Sequence, residues 1–333
     1  MKALILKALK ENINHYISGE QISNQIGVSR TAIWKHISEL RHEGYHIESS
    51  SRKGYRLISA PEHLSAAEIQ AELNTNCFGK NIIYYDTITS TNNAAKEAAA
   101  KGCDEGTVVI ADRQTAGKGR LGRSWVSPPN SGIWMSVVLR PEILPVQAQF
   151  ITILAAIAVG RAIEQIAGIT IGIKWPNDIV INRKKVCGIL TEISAEIEQI
   201  NYIVLGIGVN VNLDKDDFPD DIKHSAASIK SETGSTVSRK KLVVRILENL
   251  ESLYKNLYKK EFYDNAKADL INEYKKYSVT LGNRVKAIYQ NKTIEGYAED
   301  ITENGELIIR SDNGEQHTIL SGEVSVRGLY GYI

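Results

Sequence analysis

Gln114-Thr-Ala-Gly-Lys-Gly-Arg-Leu-Gly-Arg-Ser-Trp125 is the most unusual stretch of this 333-residue chain. Three glycines, Gly117, Gly119 and Gly122, are interleaved with Lys118, Arg120 and Arg123, directly after an apolar strand predicted over Thr107–Arg113. Glycine lets backbone N–H groups approach a ligand closely, and the cations neutralise phosphate or carboxylate. The spacing is not G-x-x-x-x-G-K-[ST], and no helix opens after it, so neither a Walker A loop nor a dinucleotide fingerprint is present. Taken alone, the stretch also reads as a flexible basic surface loop. Its surroundings have to decide.

Outward from it, strands are predicted at Ile82–Asp86, Gly132–Leu139, Ile171–Lys174, Ile179–Asn182, Lys185–Ile193 and Tyr202–Val211, with helices at Asn92–Lys101, Val146–Ala167 and Arg239 to about Lys276. The alternation is irregular, and some neighbouring strands lie too close for crossover helices. A mixed or antiparallel sheet with helices on one side follows. From Val279 onward the chain reads as all-β, punctuated by Gly282-Asn283, Asn304-Gly305 and Asn313-Gly314; Asn-Gly is the strongest short hairpin signal, so a small barrel is expected.

Upstream, three short helices and a hairpin are predicted. Ser18 and Gln21 have capping-box spacing, and Gly27 is a good helix stop. The third helix begins after Ser29, with Ile33, Ile37 and Leu40 on one face. Only Gly27-Val28-Ser29 separates the second and third helices, the geometry of a helix-turn-helix. Two strands around Ser49-Ser-Ser-Arg-Lys-Gly54 then form a wing. Arg30, Thr31, Trp34, Lys35 and Ser38 lie outward on the third helix, with Ser29 at its start and Arg52 and Lys53 at the wing tip; such groups contact phosphates and base edges. Residues 1–58 hold nine Lys/Arg against five Asp/Glu, a surplus of four positive charges in a chain whose net charge is only +1. A basic head on a mildly acidic body points to a polyanion met by the head alone. A merely solvated winged-helix face is the alternative.

The organisation is therefore α+β and multidomain: a winged helix-turn-helix over 1–60, a linker near Ser59-Ala-Pro-Glu-His63, a central domain over 66–275 and a small β-barrel over 279–333. The longest apolar run, Phe150–Ala167, is interrupted by Thr152, Arg161, Glu164 and Gln165, so a buried helix is expected there rather than a membrane span. The N-terminal stretch lacks the long apolar region and small-residue cleavage site of a signal peptide, and a cytoplasmic protein without a membrane partner is expected. Three widely spaced cysteines, Cys77, Cys103 and Cys187, with no C-x-x-C, argue against a disulfide framework or a zinc site.

Four further stretches carry candidate chemistry. Thr89-Ser-Thr-Asn92 precedes an Ala-rich helix, where helix capping is the default role. Lys174-Trp-Pro-Asn-Asp178 joins two short strands, Lys185-Val-Cys-Gly-Ile-Leu190 opens a strand with a cation, and Gly206-Ile-Gly-Val-Asn-Val-Asn212 is a glycine-bearing strand ending in two amides. Each is weak singly. Their order, together with Q-x-x-G-K-G-R-x-G-R-x-W, resembles the biotin protein ligase family from about residue 80 to the C-terminal barrel. With the head included, the chain resembles the bifunctional members that also repress the biotin operon.

That resemblance implies a class II synthetase-like catalytic domain and an SH3-like C-terminal barrel. It implies two steps: biotin and ATP give biotinyl-5′-AMP and pyrophosphate, and a lysine of a biotin carrier protein domain then takes the biotin. Joining two anions requires fixed positive charge and usually Mg²⁺. Carried over position by position, Ser90, Thr91, Asn92 and Gln114 bind biotin's neutral ureido ring, while Gly117, Lys118, Gly119 and Arg120 close over its carboxylate and the phosphate. Lys185, Arg120 and Lys118 are the catalytic cations. Trp125 stacks near adenine, Asn210 or Asn212 meets its edge, and Lys174, Asn177 and Asp178 serve ATP, with Asp178 the candidate metal ligand. Lys118 stands where some members carry arginine, keeping the charge without the bidentate fork. The resemblance also implies that biotinyl-5′-AMP acts as corepressor, promoting a homodimer that sets two heads on operator DNA; strand 202–211 is the expected pairing edge. A lipoate-type ligase and a non-catalytic ligand-sensing regulator are the competing readings.

Overall fold

A computed structural model describes residues 1–59, 64–197, 199–257, 263–289, 292–320 and 324–328. The chain divides into two compact units, Met1–Asn74 and Thr75–Ile333.

The first unit comprises α1 (Lys2–Glu11), α2 (Gly19–Ile26), α3 (Arg30–His42), β1 (His46–Ser50), β2 (Gly54–Ser59) and α4 (Ala66–Glu72). The capping box forms as the spacing predicts: Gln21 N donates to Ser18 Oγ at 3.0 Å, and Ser18 N donates to Gln21 Oε1 at 2.9 Å. Gly27 then takes a left-handed conformation, φ +75, that a side chain would strain. Ile5, Leu9, Ile22, Ile33, Ile37, Leu40 and Leu57 make the core. The unit runs past the boundary expected near residue 60, because α4 packs its Ala67 and Ala71 into this same core. Glu68 of α4 is 2% exposed and accepts from Tyr45 Oη at 2.7 Å and from the Lys10 ammonium. The linker predicted at 59–63 lies, except for Ser59, outside the described residues.

The second unit runs β3 (Ile82–Ile88), α5 (Thr91–Ala100), β4 (Val108–Lys118), β5 (Ser124–Ser127), β6 (Gly132–Leu139), α6 (Gln149–Ala167), β7 (Gly172–Lys174), β8 (Asp178–Ile181), β9 (Lys184–Ala195), β10 (Ile200–Asn210), α7 (Ile229–Thr233), α8 (Arg239–Leu257) and α9 (Tyr263–Tyr277). After these come β11 (Arg284–Tyr289), β12 (Lys292–Ile301), β13 (Leu307–Arg310), β14 (Gln316–Ile319) and β15 (Val324–Gly328). The central sheet is eight-stranded and mixed, in the order β3-β4-β6-β10-β9-β8-β7, with β5 on β4; β3–β4 is its parallel pair. β10 therefore lies in the interior, hydrogen-bonded to β6 on one side and β9 on the other. The expectation that strand 202–211 offers a free edge is overturned, since a strand with two ladders has no unpaired backbone to donate.

α6 has the length and apolarity to cross a membrane, but most of it is buried in this unit, where it packs on α8. The single helix predicted from 239 to 276 is two, α8 and α9, with 258–262 between them outside the described residues. The C-terminal strands form a five-stranded antiparallel sheet in the order β14-β13-β12-β11-β15. Its Asn304-Gly305 turn, with Gly305 at φ +85, keys onto the central domain: Gly305 O accepts from Trp175 Nε1 at 2.9 Å, and Asn304 Oδ1 accepts from Lys267 Nζ at 2.8 Å.

Glu251 of α8, 5% exposed, holds the chain entering this unit. It accepts from the backbone N–H groups of Asn76, Cys77 and Phe78 at 2.8–3.1 Å and from the Lys255 ammonium. Burial alone would raise its pKa, but the Lys255 ammonium and the three N–H groups outweigh burial and hold it down to about 2, against an ordinary 4.5. A carboxylate depressed in the folded state stabilises above its unfolded pKa and loses that contribution as pH falls through the folded value. Glu251→Ala is expected to cost about 3 kcal/mol at neutral pH, since it leaves three backbone donors, that of Phe78 buried, without their shared acceptor. Its stability should also fall less steeply than wild type between pH 4.5 and 2 in acid-denaturation series. Parallel curves would refute the assignment.

Candidate functional site

One cavity of about 730 Å³ opens over the central sheet, and most of the predicted site residues meet there. Ser90, Thr91 and Asn92 line it from the start of α5; Gln114, Lys118, Gly119, Arg120 and Trp125 from the glycine-rich stretch; Lys174, Asn177 and Asp178 from the β7–β8 turn; Lys185 from β9 and Asn210 from β10. Convergence from five separate stretches is a property of the strand order, because β6, β10 and β9 are neighbours and β9 and β10 present Gly188, Gly206 and Gly208 to the cavity.

Those glycines make the floor. Gly188 and Gly208 sit opposite one another across β9 and β10, and the Trp125 indole lies against both. A Cβ on Gly208 would come within 2.6 Å of Trp125 Nε1, and one on Gly188 within 2.9 Å of its Cζ3. The buried Trp125 Nε1 has no hydrogen-bond partner among the described residues. The Lys185 Nζ stands 5.1 Å from the indole centroid and 2.6 Å from Asp178 Oδ1. The backbone of Lys185 is fixed independently of its side chain: its N–H donates to Ser225 O at 2.8 Å, and Ala227 N donates to its carbonyl at 2.9 Å.

Arg120 reaches from the glycine-rich stretch to the β7–β8 turn, donating to Asn177 Oδ1 at 3.0 Å. Burial pushes its pKa down, Asp178 partly offsets this, and Arg123 adds to the lowering; an arginine remains charged regardless. Asn177 is fixed in turn by donating to Ile189 O at 2.7 Å. Behind the turn, the fully buried Tyr274 donates to Pro176 O at 3.0 Å, and Trp175 N donates to Thr280 Oγ1 at 2.9 Å. Lys174 is 7% exposed. Lys118, by contrast, is exposed and donates to Asn93 Oδ1 at 2.7 Å.

At the opposite end, Thr91 N donates to Gln114 Oε1 at 2.8 Å, and Gln114 Nε2 donates to Ser127 Oγ at 2.9 Å. The polar groups there are neutral hydroxyls and amides, while the cations lie toward Arg120 and Lys185. The cavity is thus suited to a ligand with a neutral polar head, an anion and a base-sized planar group. Two predicted residues stay out of it. Gly117 backs onto β5, where a Cβ would come 2.4 Å from Trp125 O. Asn212 is bound to Val237, whose N–H it accepts and whose carbonyl it donates to, both at 2.9 Å, leaving Asn210 as the amide at the cavity. Asn210 Nδ2 donates to Ala227 O at 3.0 Å.

The segment 218–226 also lines the cavity, through Phe218, Asp221, Ile222, His224, Ser225 and Ala226, and was not predicted. Phe218, Ile222 and Ala226 join Trp125 and Trp134 in one apolar cluster. The segment has no helical or strand periodicity, so its only sequence signal is an isolated apolar pair, Phe218 and Ile222, within an acidic run.

In the first unit Ser29 caps α3, accepting from Ala32 N at 3.3 Å. Ser29, Arg30, Thr31, Trp34 and Lys35 are exposed on its outward side, Trp34 at 62%, and Arg52 and Lys53 are exposed at the β1–β2 tip. Arg30 pairs with Glu20 at 3.0 Å.

Three family descriptions match the chain: an HTH domain over residues 2–56, the biotin/lipoate A/B protein ligase family over 84–210, and the biotin protein ligase C terminal domain over 280–327. The bifunctional ligase/repressor BirA of Bacillus subtilis is 43% identical over 90% of this chain and 91% of its own length. The protein of the same name from Escherichia coli is 28% identical over 97% of each. Among solved structures, the biotin protein ligase from Aquifex aeolicus in complex with biotin and ATP is similar with a TM-score of 0.64 and 31% identity, over 75% of this chain and 99% of that one.

Proposed function

The chain belongs to the bifunctional biotin ligase/repressor family, and from that premise we propose how its own residues carry out ligation and repression. The observation that carries the ligase reading is the polarity of the cavity: neutral hydrogen-bonding groups at Ser90, Thr91 and Gln114, cations at Arg120 and Lys185, and the indole slot over Gly188 and Gly208. Biotin has a neutral ureido ring and a carboxylate, and ATP adds a triphosphate and a purine.

Ser90, Thr91 and Gln114 take the ureido ring. Arg120, with Lys118 and the backbone at Gly119, closes over the biotin carboxylate and the α-phosphate. In the first step a carboxylate oxygen bonds to the α-phosphorus and pyrophosphate leaves, giving biotinyl-5′-AMP. Lys185 stabilises the charge developing on the phosphoryl oxygens, an electrostatic contribution that needs no proton transfer. Trp125 and Asn210 hold the adenine, the indole leaving its present slot or stacking beside it. In the second step the acceptor lysine's neutral amine attacks the acyl carbon, AMP leaves, and an amide forms on the carrier domain.

Among the described residues no cluster of three or more His, Cys, Asp or Glu side chains stands ready for a metal. That fits Mg²⁺ arriving on the triphosphate, because Mg²⁺ keeps most of its waters and takes one or two carboxylates beside substrate phosphates. Asp178 is the carboxylate in place, with Lys174 and Asn177 flanking the β and γ phosphates. Bound there, Mg²⁺ would neutralise charge on the leaving pyrophosphate.

The basic head reads DNA through α3 and the wing: Arg30, Thr31, Trp34 and Lys35 in the groove, Ser29, Arg52 and Lys53 on phosphates. Biotinyl-5′-AMP promotes a homodimer that places two such heads on a two-fold operator, in the cytoplasm. Incubation with ATP, Mg²⁺, labelled biotin and a biotin-carrier domain should label the carrier lysine, and lipoate should not substitute. Label from lipoate but not biotin would reverse the choice of ligand. An operator mobility shift indifferent to biotinyl-5′-AMP would remove the repressor half.

A further inference from the structure

Behind Thr91 lies a row of polar side chains that the reaction itself does not use. Ser136, fully buried in β6, has its Oγ 2.8 Å from Thr91 Oγ1 and 2.6 Å from Asn92 Oδ1. Asn92 Nδ2 donates to Glu192 Oε2 at 2.8 Å, and Glu192 also takes the Lys96 ammonium. Neither Ser136 nor Glu192 lines the cavity. The row is tightly built, since a Cβ on Gly206 would fall 2.2 Å from Asn92 Oδ1.

The protons in this row can be counted. Burial would raise the pKa of Glu192, but Lys96 and Asn92 outweigh it and the carboxyl is held low and ionised. An ionised carboxylate only accepts, so the amide nitrogen of Asn92 faces Glu192 and its oxygen faces Ser136. That oxygen carries no proton, so the Ser136 hydroxyl proton is directed to Asn92. One hydroxyl proton cannot also serve Thr91. Two hydroxyl oxygens 2.8 Å apart need a proton between them, so the Thr91 proton goes to Ser136 Oγ rather than to Gln114 Oε1, which lies 3.1 Å away and already accepts from Thr91 N. It is spent inside the protein, and Thr91 Oγ1 shows the cavity only lone pairs.

We propose that Glu192, Asn92 and Ser136 are positioning residues that commit the Thr91 hydroxyl as an acceptor, so that the ligand facing it must present an N–H donor. This rests on the ligase reading and deepens it: a ureido ring offers two N–H groups, whereas a dithiolane offers none. The same row reassigns Asn92, expected as a direct biotin ligand, to orienting its neighbour. A site built to pair a ligand donor discriminates strongly against an analogue lacking it, because its own buried acceptor is then left unmatched.

Pyrophosphate release, with biotin and ATP varied separately, tests this on the full-length chain. Ser136→Ala removes the acceptor that commits the Thr91 hydroxyl and frees its proton to rotate toward the cavity, so KM for biotin is expected to rise about tenfold or more, with KM for ATP within about twofold. Discrimination between biotin and lipoate should fall by a similar factor. Glu192→Leu should behave likewise, while Glu192→Gln, which keeps an acceptor for Asn92, should recover most of the loss. Desthiobiotin, which retains the ureido ring, should track biotin across the series. Unchanged biotin KM in both Ser136→Ala and Glu192→Leu overturns the proposal, as does a parallel rise in both KM values, the mark of general damage. A wild-type protein that releases no biotin-dependent pyrophosphate would instead bring down the ligase reading itself.

Discussion

Lys185→Ala is expected to slow formation of biotinyl-5′-AMP by about 100–1000-fold, the cost of removing one preorganised charge at a transition state. The side chain is the part at stake. The backbone of Lys185 is held by Ser225 O and Ala227 N, bonds that alanine keeps, so the fold should survive. The ammonium stands between Asp178 and the Trp125 indole, the position to which the proposed reaction brings the phosphoryl oxygens. Lys185→Arg should recover only part of the rate, because a planar fork places its charge differently from a point ammonium. Single-turnover synthesis of the adenylate is the measurement. A rate within a few-fold of wild type, in a variant of unchanged melting temperature, would remove Lys185 from the chemistry.

Arg120→Gly is expected to act on retention instead. The guanidinium is half-buried and joins the glycine-rich stretch to Asn177, so it latches one wall of the cavity to another. Next to it, Leu121 at φ +55 and Gly122 at φ +73 occupy left-handed conformations inside a turn that Gly119 N closes by donating to Arg123 O at 2.7 Å. Glycine at 120 removes the latch and adds chain freedom. A lost charge-assisted hydrogen bond is worth about 1.5–3 kcal/mol, which corresponds to roughly 10–100-fold faster release of the adenylate. Preformed labelled adenylate, chased by dilution, would show it, as would biotin appearing on bystander lysines. A release half-time equal to wild type would leave Arg120 without this role.

Much of this molecule was legible from local spacing. The capping box at Ser18 and Gln21 and the stop at Gly27 need only residues a turn apart, and they appear where the spacing predicts. The Asn304-Gly305 and Asn313-Gly314 turns are equally local. The candidate ligand-site residues follow from the order of five short motifs, and thirteen of them line one cavity. Their convergence was not something the motifs could express, because it depends on β6, β9 and β10 being neighbours.

The amino-acid sequence by itself determined that Gln114–Trp125 carries close-approach glycines and cations, that a basic winged helix precedes it, and that hairpins follow. These are consequences of backbone freedom, charge and periodicity, and they need no partner distant in the chain. Tertiary structure alone decided that β10 is interior rather than an edge, that α4 belongs with the head, and that the aperiodic segment 218–226 walls the cavity. It also decided that Ser136 and Glu192 stand behind Thr91. Each of these is a contact between residues tens of positions apart. Such contacts are set by which strands pair and which faces are buried, and a short-range pattern holds no information about either.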